Sequence, residues 1–114
     1  MNIVILDGRL GDEPKLEQKQ NGDFKVSFSL WSKRPYKNID GEYDSDCILC
    51  SATKKTAEFI CKYFHKGDGI QVCGRIVSFT YNDPDGVKRV GLMVAVEEAQ
   101  FPLTMPSRRL LEEE

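Results

Sequence analysis

Histidine is nearly absent from this chain, since His65 is its only one in 114 residues. It falls on the last turn of a predicted helix, where a histidine more often contacts helix-end carbonyl groups than carries out chemistry. No Ser–His–Asp set can be assembled around it, and no glycine-rich Walker loop occurs. Gly67-x-Gly69 lacks the third glycine of a dinucleotide-binding motif and follows a helix instead of opening one. We therefore expect a protein that is not an enzyme and carries no cofactor.

Long apolar stretches are also missing. No run of apolar residues approaches the ~20 that a helix needs to span a bilayer. The N-terminal residues show no basic segment followed by an apolar one, as a signal peptide would. These absences predict a cytoplasmic protein with no membrane partner.

Cysteines are few, and their spacing does not suit a metal site. Cys47 and Cys50 fall in an apolar block that is predicted to be a strand, where side chains three residues apart point to opposite faces. Cys61 and Cys73 are not closely spaced, as the second pair of a zinc site would be. We therefore predict free cysteines and no metal.

The excess of positive charge that favours phosphate binding is absent too, since the net charge is -2. The distribution of charge matters more than the sum. One basic stretch consists of Lys25, Lys33, Arg34 and Lys37, and a second of Lys54, Lys55, Lys62 and Lys66. The acids of the central region collect elsewhere, at Asp40, Glu42, Asp44 and Asp46. This separation is compatible with a basic face on a near-neutral protein.

What the chain does contain is regular apolar patterning. It predicts strands over 2–10, 24–31, 46–52, 69–81 and 87–97. In the second strand Trp31 falls on the polar face, and the polar segment 33–45 is predicted to be a long loop or a flexible hairpin. Apolar residues at helical spacing follow Thr53, the predicted N-cap, and Gly67 is predicted to close that helix.

This order of elements indicates a fold class. A helix between the third and fourth of five strands is the layout of an OB-fold, an all-β five-stranded Greek-key barrel with one helix. We assign residues 1–101 to this domain and residues 102–114, which carry two prolines and a charged end, to a short C-terminal tail.

Five short segments carry a family resemblance. They are the opening strand Asn2–Pro14, Asn21-Gly22 before Phe24–Trp31, Thr56–Tyr63 with Lys66-Gly67, Gly74-Arg75-Ile76, and Tyr81–Asp83 with Asp85-Gly86. In this order and at this spacing, residues 1–101 resemble the bacterial single-stranded DNA-binding protein family. The resemblance implies a protein that coats single-stranded DNA without reading its sequence, in replication, recombination and repair.

The resemblance also implies which aromatic residues stack on bases. Tyr36 and Tyr81 fall on two of the four family positions that carry stacking, whereas Cys47 and Thr53 occupy the other two. Trp31 and Phe79 are expected to compensate for the missing rings. Trp31 is open between two interpretations, a stacking platform and a subunit contact, because half-exposed aromatic residues are typical of both.

Cations flank these rings. Lys55 and Lys66 fall on family positions that contact phosphates, and Lys33, Arg34 and Lys37 flank Tyr36. Arg75 is expected either to contact a phosphate or to satisfy an acid across the sheet.

The resemblance also implies how the protein assembles and which partners it recruits, and this chain matches the family in only part of these features. The family forms dimers and tetramers, partly through the first strand, so we expect a homo-oligomer, although Ile48 replaces a histidine tied to tetramer contacts. The end of the chain, Leu110–Glu114, is acidic but lacks the terminal Pro-Phe that recruits replication and repair enzymes. Recruitment through that tip is therefore not expected.

Two alternatives stay open. One is an OB-fold protein-interaction module of a primosome-like or mobile-element replication complex, with weak affinity for nucleic acid. The other is RNA as the ligand, because OB-folds accept either nucleic acid and nothing in the sequence reads a 2′-hydroxyl.

Overall fold

The computed structural model describes residues 1–103. Its elements are β1 (Val4–Leu10), β2 (Glu17–Gln18), β3 (Phe24–Lys37), β4 (Tyr43–Thr53), α1 (Lys54–Tyr63), β5 (Gly69–Asn82) and β6 (Lys88–Gln100). The predicted tail, 102–114, lies outside the described residues apart from its first two positions.

The strands close into a barrel. Their order is β1-β5-β6-β4-β3, and pairing of β1 with β3 completes the circuit, while the short β2 pairs with β3 alone. All pairings are antiparallel except the brief parallel contact between β4 and β6. The prediction of an OB-fold, a five-stranded barrel with one helix, is confirmed.

The core follows from the alternation that the sequence shows. Val26, Phe28 and Leu30 of β3 point inward and are fully or almost fully buried. Ala57 and Ile60 of α1 are buried against the same cluster, so the helix packs on the barrel through its apolar face. Burying each large apolar side chain stabilises the fold by roughly 1.5–3 kcal/mol, which makes this cluster the main source of stability.

The helix begins after Thr53, the predicted N-cap, but ends earlier than predicted. Thr53 has the extended backbone of an N-cap, but its side chain makes no capping hydrogen bond. The helix ends at Tyr63, where the N–H of Phe64 donates to the carbonyl of Ile60. Gly67 does not close the helix: it lies in the following turn with a φ of 87°, and its N–H donates to the carbonyl of Leu10. The prediction placed the helix end too late, because the backbone is already extended at Phe64 and a separate turn follows before Gly67.

Two hairpins run past the core. Residues 33–45 form a hairpin with long strands, so β3 and β4 stay paired out to Lys37 and Tyr43. β5 and β6 pair as far as Asn82 and Lys88. Beyond the core, side chains on both faces of this second hairpin are exposed. Ile76 is an example, because it lies on the face of β5 that is buried nearer the core.

No helix within residues 1–103 is long and apolar enough to cross a membrane.

Candidate nucleic-acid interface

Trp31 lies on the outer face of β3. Because Val26, Phe28 and Leu30 point inward, the alternate residues point outward, and 47% of Trp31 is exposed. Its partner across the sheet is Cys47 of β4, which is also exposed. The structure therefore confirms that Trp31 lies on the polar face of its strand.

The indole ring of Trp31 packs against Gly11. A Cβ added to Gly11 would lie 2.3 Å from the indole Nε1, so the ring packs where only a glycine leaves room. The N–H of Gly11 donates to the carbonyl of Ser29, and this 2.8 Å bond fixes the glycine against β3. One side of Trp31 is thereby held, and the rest of the ring is accessible.

Tyr43 shares this outer face and was missed by the sequence analysis. Its ring has the Lys33 Nζ 4.3 Å and the Lys37 Nζ 5.9 Å from its centroid. The residue is 46% exposed. The signal that could have found it is Gly41, because a three-residue hairpin loop that ends in a left-handed glycine pairs Asn38 with Glu42 and hence Lys37 with Tyr43.

Arg34 is engaged by two acids. Its Nη2 donates to Oδ1 of Asp46 at 2.8 Å, its Nε lies 3.2 Å from both oxygens of that carboxylate, and its Nη1 is 4.0 Å from Asp44. The hydrogen bond with Asp46 raises the pKa of Arg34 and lowers the pKa of Asp46. A phosphate at Arg34 would therefore compete with a carboxylate already in place.

Tyr36 lies near the far end of β3, on the same hairpin. It belongs to the irregular stretch of β3 between Lys33 and Lys37, where the pairing register with β4 shifts. It is 62% exposed. The ring is therefore accessible from solvent, and in the sequence it lies between Arg34 and Lys37.

The second hairpin carries a pair of rings. Phe79 packs on Gly91, where an added Cβ would lie 2.5 Å from the phenyl Cζ. Tyr81 follows it on the same face, with ring centroids 5.9 Å apart. Tyr81 is the more exposed of the two, so Phe79 forms the support beside which Tyr81 stands.

Arg75 lies on the same face of β5 and has an acidic neighbour. Its Nε is 3.7 Å from a carboxylate oxygen of Glu97 on β6. Both side chains are more than half exposed, so the pair contributes little to stability.

The remaining candidate cations lie at the two ends of α1. Lys55 is exposed in the first turn, beside an open depression of about 530 Å³ lined by Thr53 and Lys54 as well. Lys66 follows the helix, and its N–H donates to Glu13 at 2.9 Å. More acids lie beside Lys66 than beside Lys55: Asp12, Glu13 and Glu17 line its depression of about 510 Å³, whereas Glu97 alone lines the depression at Lys55.

Cys47 and Cys50 lie on opposite faces of a strand, as predicted. All four cysteines are free; Cys47 is exposed and Cys50 is buried. Burial raises the pKa of the Cys50 thiol to about 12, which keeps it protonated. Within residues 1–103 no group of three or more histidines, cysteines and acids could hold a metal ion.

The predicted residues thus fall into three places. The β3–β4 hairpin carries Trp31, Lys33, Arg34, Tyr36 and Lys37; the β5–β6 hairpin carries Arg75, Phe79 and Tyr81; and the ends of α1 carry Lys55 and Lys66. Exposed rings beside cations are what sequence-independent binding of single strands requires.

Comparison with known proteins is consistent with this arrangement. A family profile described as "Single-strand binding protein family" matches residues 1–102. The single-stranded DNA-binding protein of Halalkalibacterium halodurans is 36% identical over 101 residues, which are 89% of this chain and 60% of that protein. Single-stranded DNA-binding protein 1 of Clostridium acetobutylicum is 34% identical over 102 residues, 89% of this chain and 93% of that protein. The chain thus spans about 60% of the length of some curated relatives and nearly all of another.

Proposed function

Since the chain belongs to the single-strand binding protein family, we propose that its barrel binds single-stranded DNA without reading the sequence, in replication, recombination and repair. The observation that carries the proposal is the set of exposed rings beside cations on both long hairpins. Every base has a π-face, so stacking on such rings tolerates any sequence.

Three rings are the stacking residues of this proposal. Trp31 and Tyr36 act on the first hairpin and Tyr81 on the second, with Phe79 supporting Tyr81. Each stacked base is worth roughly 1–3 kcal/mol. Three stacked bases, together with phosphate contacts, are sufficient to hold single-stranded DNA on the barrel.

The phosphate contacts divide into two classes. Lys33, Lys37, Lys55 and Lys66 carry exposed ammonium groups that reach a phosphate directly. Arg34 and Arg75 first have to release a carboxylate, because Asp46 and Glu97 hold them in the free protein. We therefore expect the lysines to provide most of the salt-dependent affinity.

A homo-oligomer, dimer or tetramer, is part of the proposal. β1 pairs with β3 only through Arg9 and Leu10, so within the described residues its stretch 4–8 has one edge without a strand partner. Ile3 and Ile5 are exposed beside that edge. An open strand edge flanked by apolar side chains favours pairing with a second copy. The proposed role is binding without catalysis, on the DNA of the bacterial nucleoid in the cytoplasm.

The test is a titration with oligo-dT at low and moderate salt, read by the fluorescence of Trp31, the single tryptophan. We expect quenching that weakens as salt rises. A Tyr36→Ala/Tyr81→Ala variant should lose affinity by a factor of about 30 or more, since it lacks two stacking contacts. Lys19→Ala, an exposed site on the far β2–β3 turn, is the matched control. Failure of the parent protein to bind at low salt would overturn the proposal, and normal binding by the double variant would overturn the site assignment.

A further inference from the structure

Tyr43 extends the outer face that Trp31 begins. Trp31 pairs with Cys47, and Lys37 pairs with Tyr43 at the far end of the hairpin. Tyr43 is four residues from Cys47 along β4, or roughly 13 Å at strand spacing. The outward residue between them on β4 is Ser45, whose partner on β3 is Lys33, so a small side chain and a lysine lie between the two rings.

Two lysines without acidic partners flank the Tyr43 ring. The Lys33 Nζ lies over the ring and the Lys37 Nζ stands farther off, at 4.3 and 5.9 Å from the centroid. Within the described part of the chain neither ammonium lies within ion-pair distance of a carboxylate. Neither ammonium has to leave a carboxylate to reach a phosphate, and a base that stacks on the Tyr43 ring displaces the Lys33 Nζ from above the ring toward the adjacent phosphate.

The other face of the hairpin repels a polyanion. Arg34 is held there by Asp46 and Asp44, and the two carboxylates more than balance its single charge. A strand on that face would meet negative charge and a cation already paired. On the outer face, a strand would instead meet the positive charges of Lys33 and Lys37 beside the Tyr43 ring.

We propose that Tyr43 stacks on a base of the bound strand, while Lys33 and Lys37 contact the adjacent phosphates, and that Tyr43 and Trp31 together define the strand's path over the outer face. This inference rests on the proposed function and deepens it, because it adds a base-binding site and selects one face of the hairpin.

The first experiment compares Tyr43→Ala with Tyr43→Phe in oligo-dT titrations. Tyr43→Ala should weaken binding about 5- to 150-fold, and Tyr43→Phe should stay within about twofold of the parent because it keeps the ring. Ile39→Ala is the matched control, since Ile39 is fully exposed at the tip of the same hairpin. It too should stay within about twofold.

The salt dependence separates a stacking role from an indirect one. Loss of a stacked base leaves the slope of log affinity against log salt unchanged, whereas loss of one phosphate contact lowers it by about one. An unchanged slope in Tyr43→Ala supports stacking. A reduced slope, or affinity equal to that of the parent, would overturn the inference while the proposed function stands. A parent protein that does not bind would overturn both.

A second measurement needs no variant. Photo-crosslinking of the parent protein to an oligonucleotide carrying 5-iododeoxyuridine should attach the base to Tyr43. Trypsin cuts after Lys37 and Lys54, and Tyr43 is the only aromatic residue of the peptide between them. A crosslink on peptide 38–54 is the expected result, and crosslinks confined to other peptides contradict the inference.

Discussion

Trp31 and Cys47 lie directly opposite each other on the outer face of β3 and β4. One carries the largest side chain and the other one of the smallest, and both are exposed. A ring on either residue would cover the same part of the surface, because directly opposed side chains in a sheet are about 5 Å apart. The family resemblance implies an aromatic residue at position 47, where this chain has Cys47, and we therefore propose that the indole of Trp31 takes the place of that missing ring.

Moving the indole ring from Trp31 on β3 to position 47 on β4 tests whether Trp31 takes the place of the missing ring. Trp31→Ala should weaken binding of oligo-dT about 5- to 150-fold through loss of a stacked base. Trp31→Ala/Cys47→Trp should recover most of that loss, because the ring returns to the same surface from the neighbouring strand. Fluorescence anisotropy of a labelled oligonucleotide measures both, since Trp31→Ala has no tryptophan.

The control for the swap is Cys47→Ala, which should bind like the parent. A double variant as weak as Trp31→Ala would show that the position of the indole matters beyond its presence. If Trp31→Ala binds normally but dissociates in analytical ultracentrifugation, the indole belongs to a subunit contact.

Arg34 lies on the hairpin face opposite the proposed path and can reach the strand only when its side chain is released from Asp46, and that release should increase affinity. Asp46→Asn removes the carboxylate that now receives three close contacts from the guanidinium. Binding should tighten and its salt slope should steepen by about one, as expected for one added phosphate contact. Combining the change with Arg34→Gln should cancel both effects. If Asp46→Asn leaves affinity and slope unchanged, Arg34 is out of reach of the strand.

The barrel was predictable because its signals are local. Period-two alternation through Phe24–Leu30 and the helical spacing of Ala57 and Ile60 are each set by a few neighbouring residues, and the structure buries these residues as expected. The helix end was misjudged for the same reason. Gly67 is a strong local signal, but its N–H bonds to Leu10, which is far away in sequence.

The site was less predictable because its features depend on pairing. Tyr43 gains significance only when β3 and β4 stay in register beyond the core and bring Lys33 and Lys37 beside it. Arg34 was predicted as a phosphate contact from its place in a basic stretch, and that stretch gives no sign that Asp46 holds it. Exposure of Trp31, in contrast, follows from alternation alone.

A crowded glycine should make the β5–β6 contact intolerant of change. A Cβ on Gly74 would lie 2.0 Å from the carbonyl oxygen of Ala95, which is backbone and cannot move aside cheaply. Gly74→Ala should therefore lower the free energy of unfolding by about 1–3 kcal/mol, measured by urea denaturation. In Gly11→Ala the new methyl group clashes with the Trp31 side chain, and its next neighbour, the Ser29 Cβ, is at an ordinary contact distance of 3.5 Å. This matched variant should change the emission of Trp31 and lower the unfolding midpoint less than Gly74→Ala does. Equal loss of stability in Gly74→Ala and Gly11→Ala would contradict the prediction.

Glu13 connects the segment after β1 to the end of the helix. One carboxylate oxygen accepts the N–H of Lys66 at 2.9 Å, and the other lies 2.7 Å from Nδ1 of His65. The bond from Lys66, followed by that from His65, lowers the pKa of Glu13 from its ordinary value of 4.5. Asp68, whose carboxylate accepts the N–H of His65, is the nearby acid that opposes this effect.

A lowered pKa in the folded state fixes the direction of the pH dependence. Above 4.5 the carboxylate is ionised in both the folded and the unfolded chain, and its full stabilisation is present. As pH falls below 4.5 the unfolded chain binds the proton first, and the stabilisation is lost as pH passes through the lower folded pKa. Glu13→Gln should therefore unfold at lower urea concentration than the parent at neutral pH. The two midpoints should converge in acid, whereas Glu58→Gln, at an exposed position of α1, should match the parent throughout. A gap between Glu13→Gln and the parent that persists unchanged into acid would mean that the lost contact is not that of the ionised carboxylate.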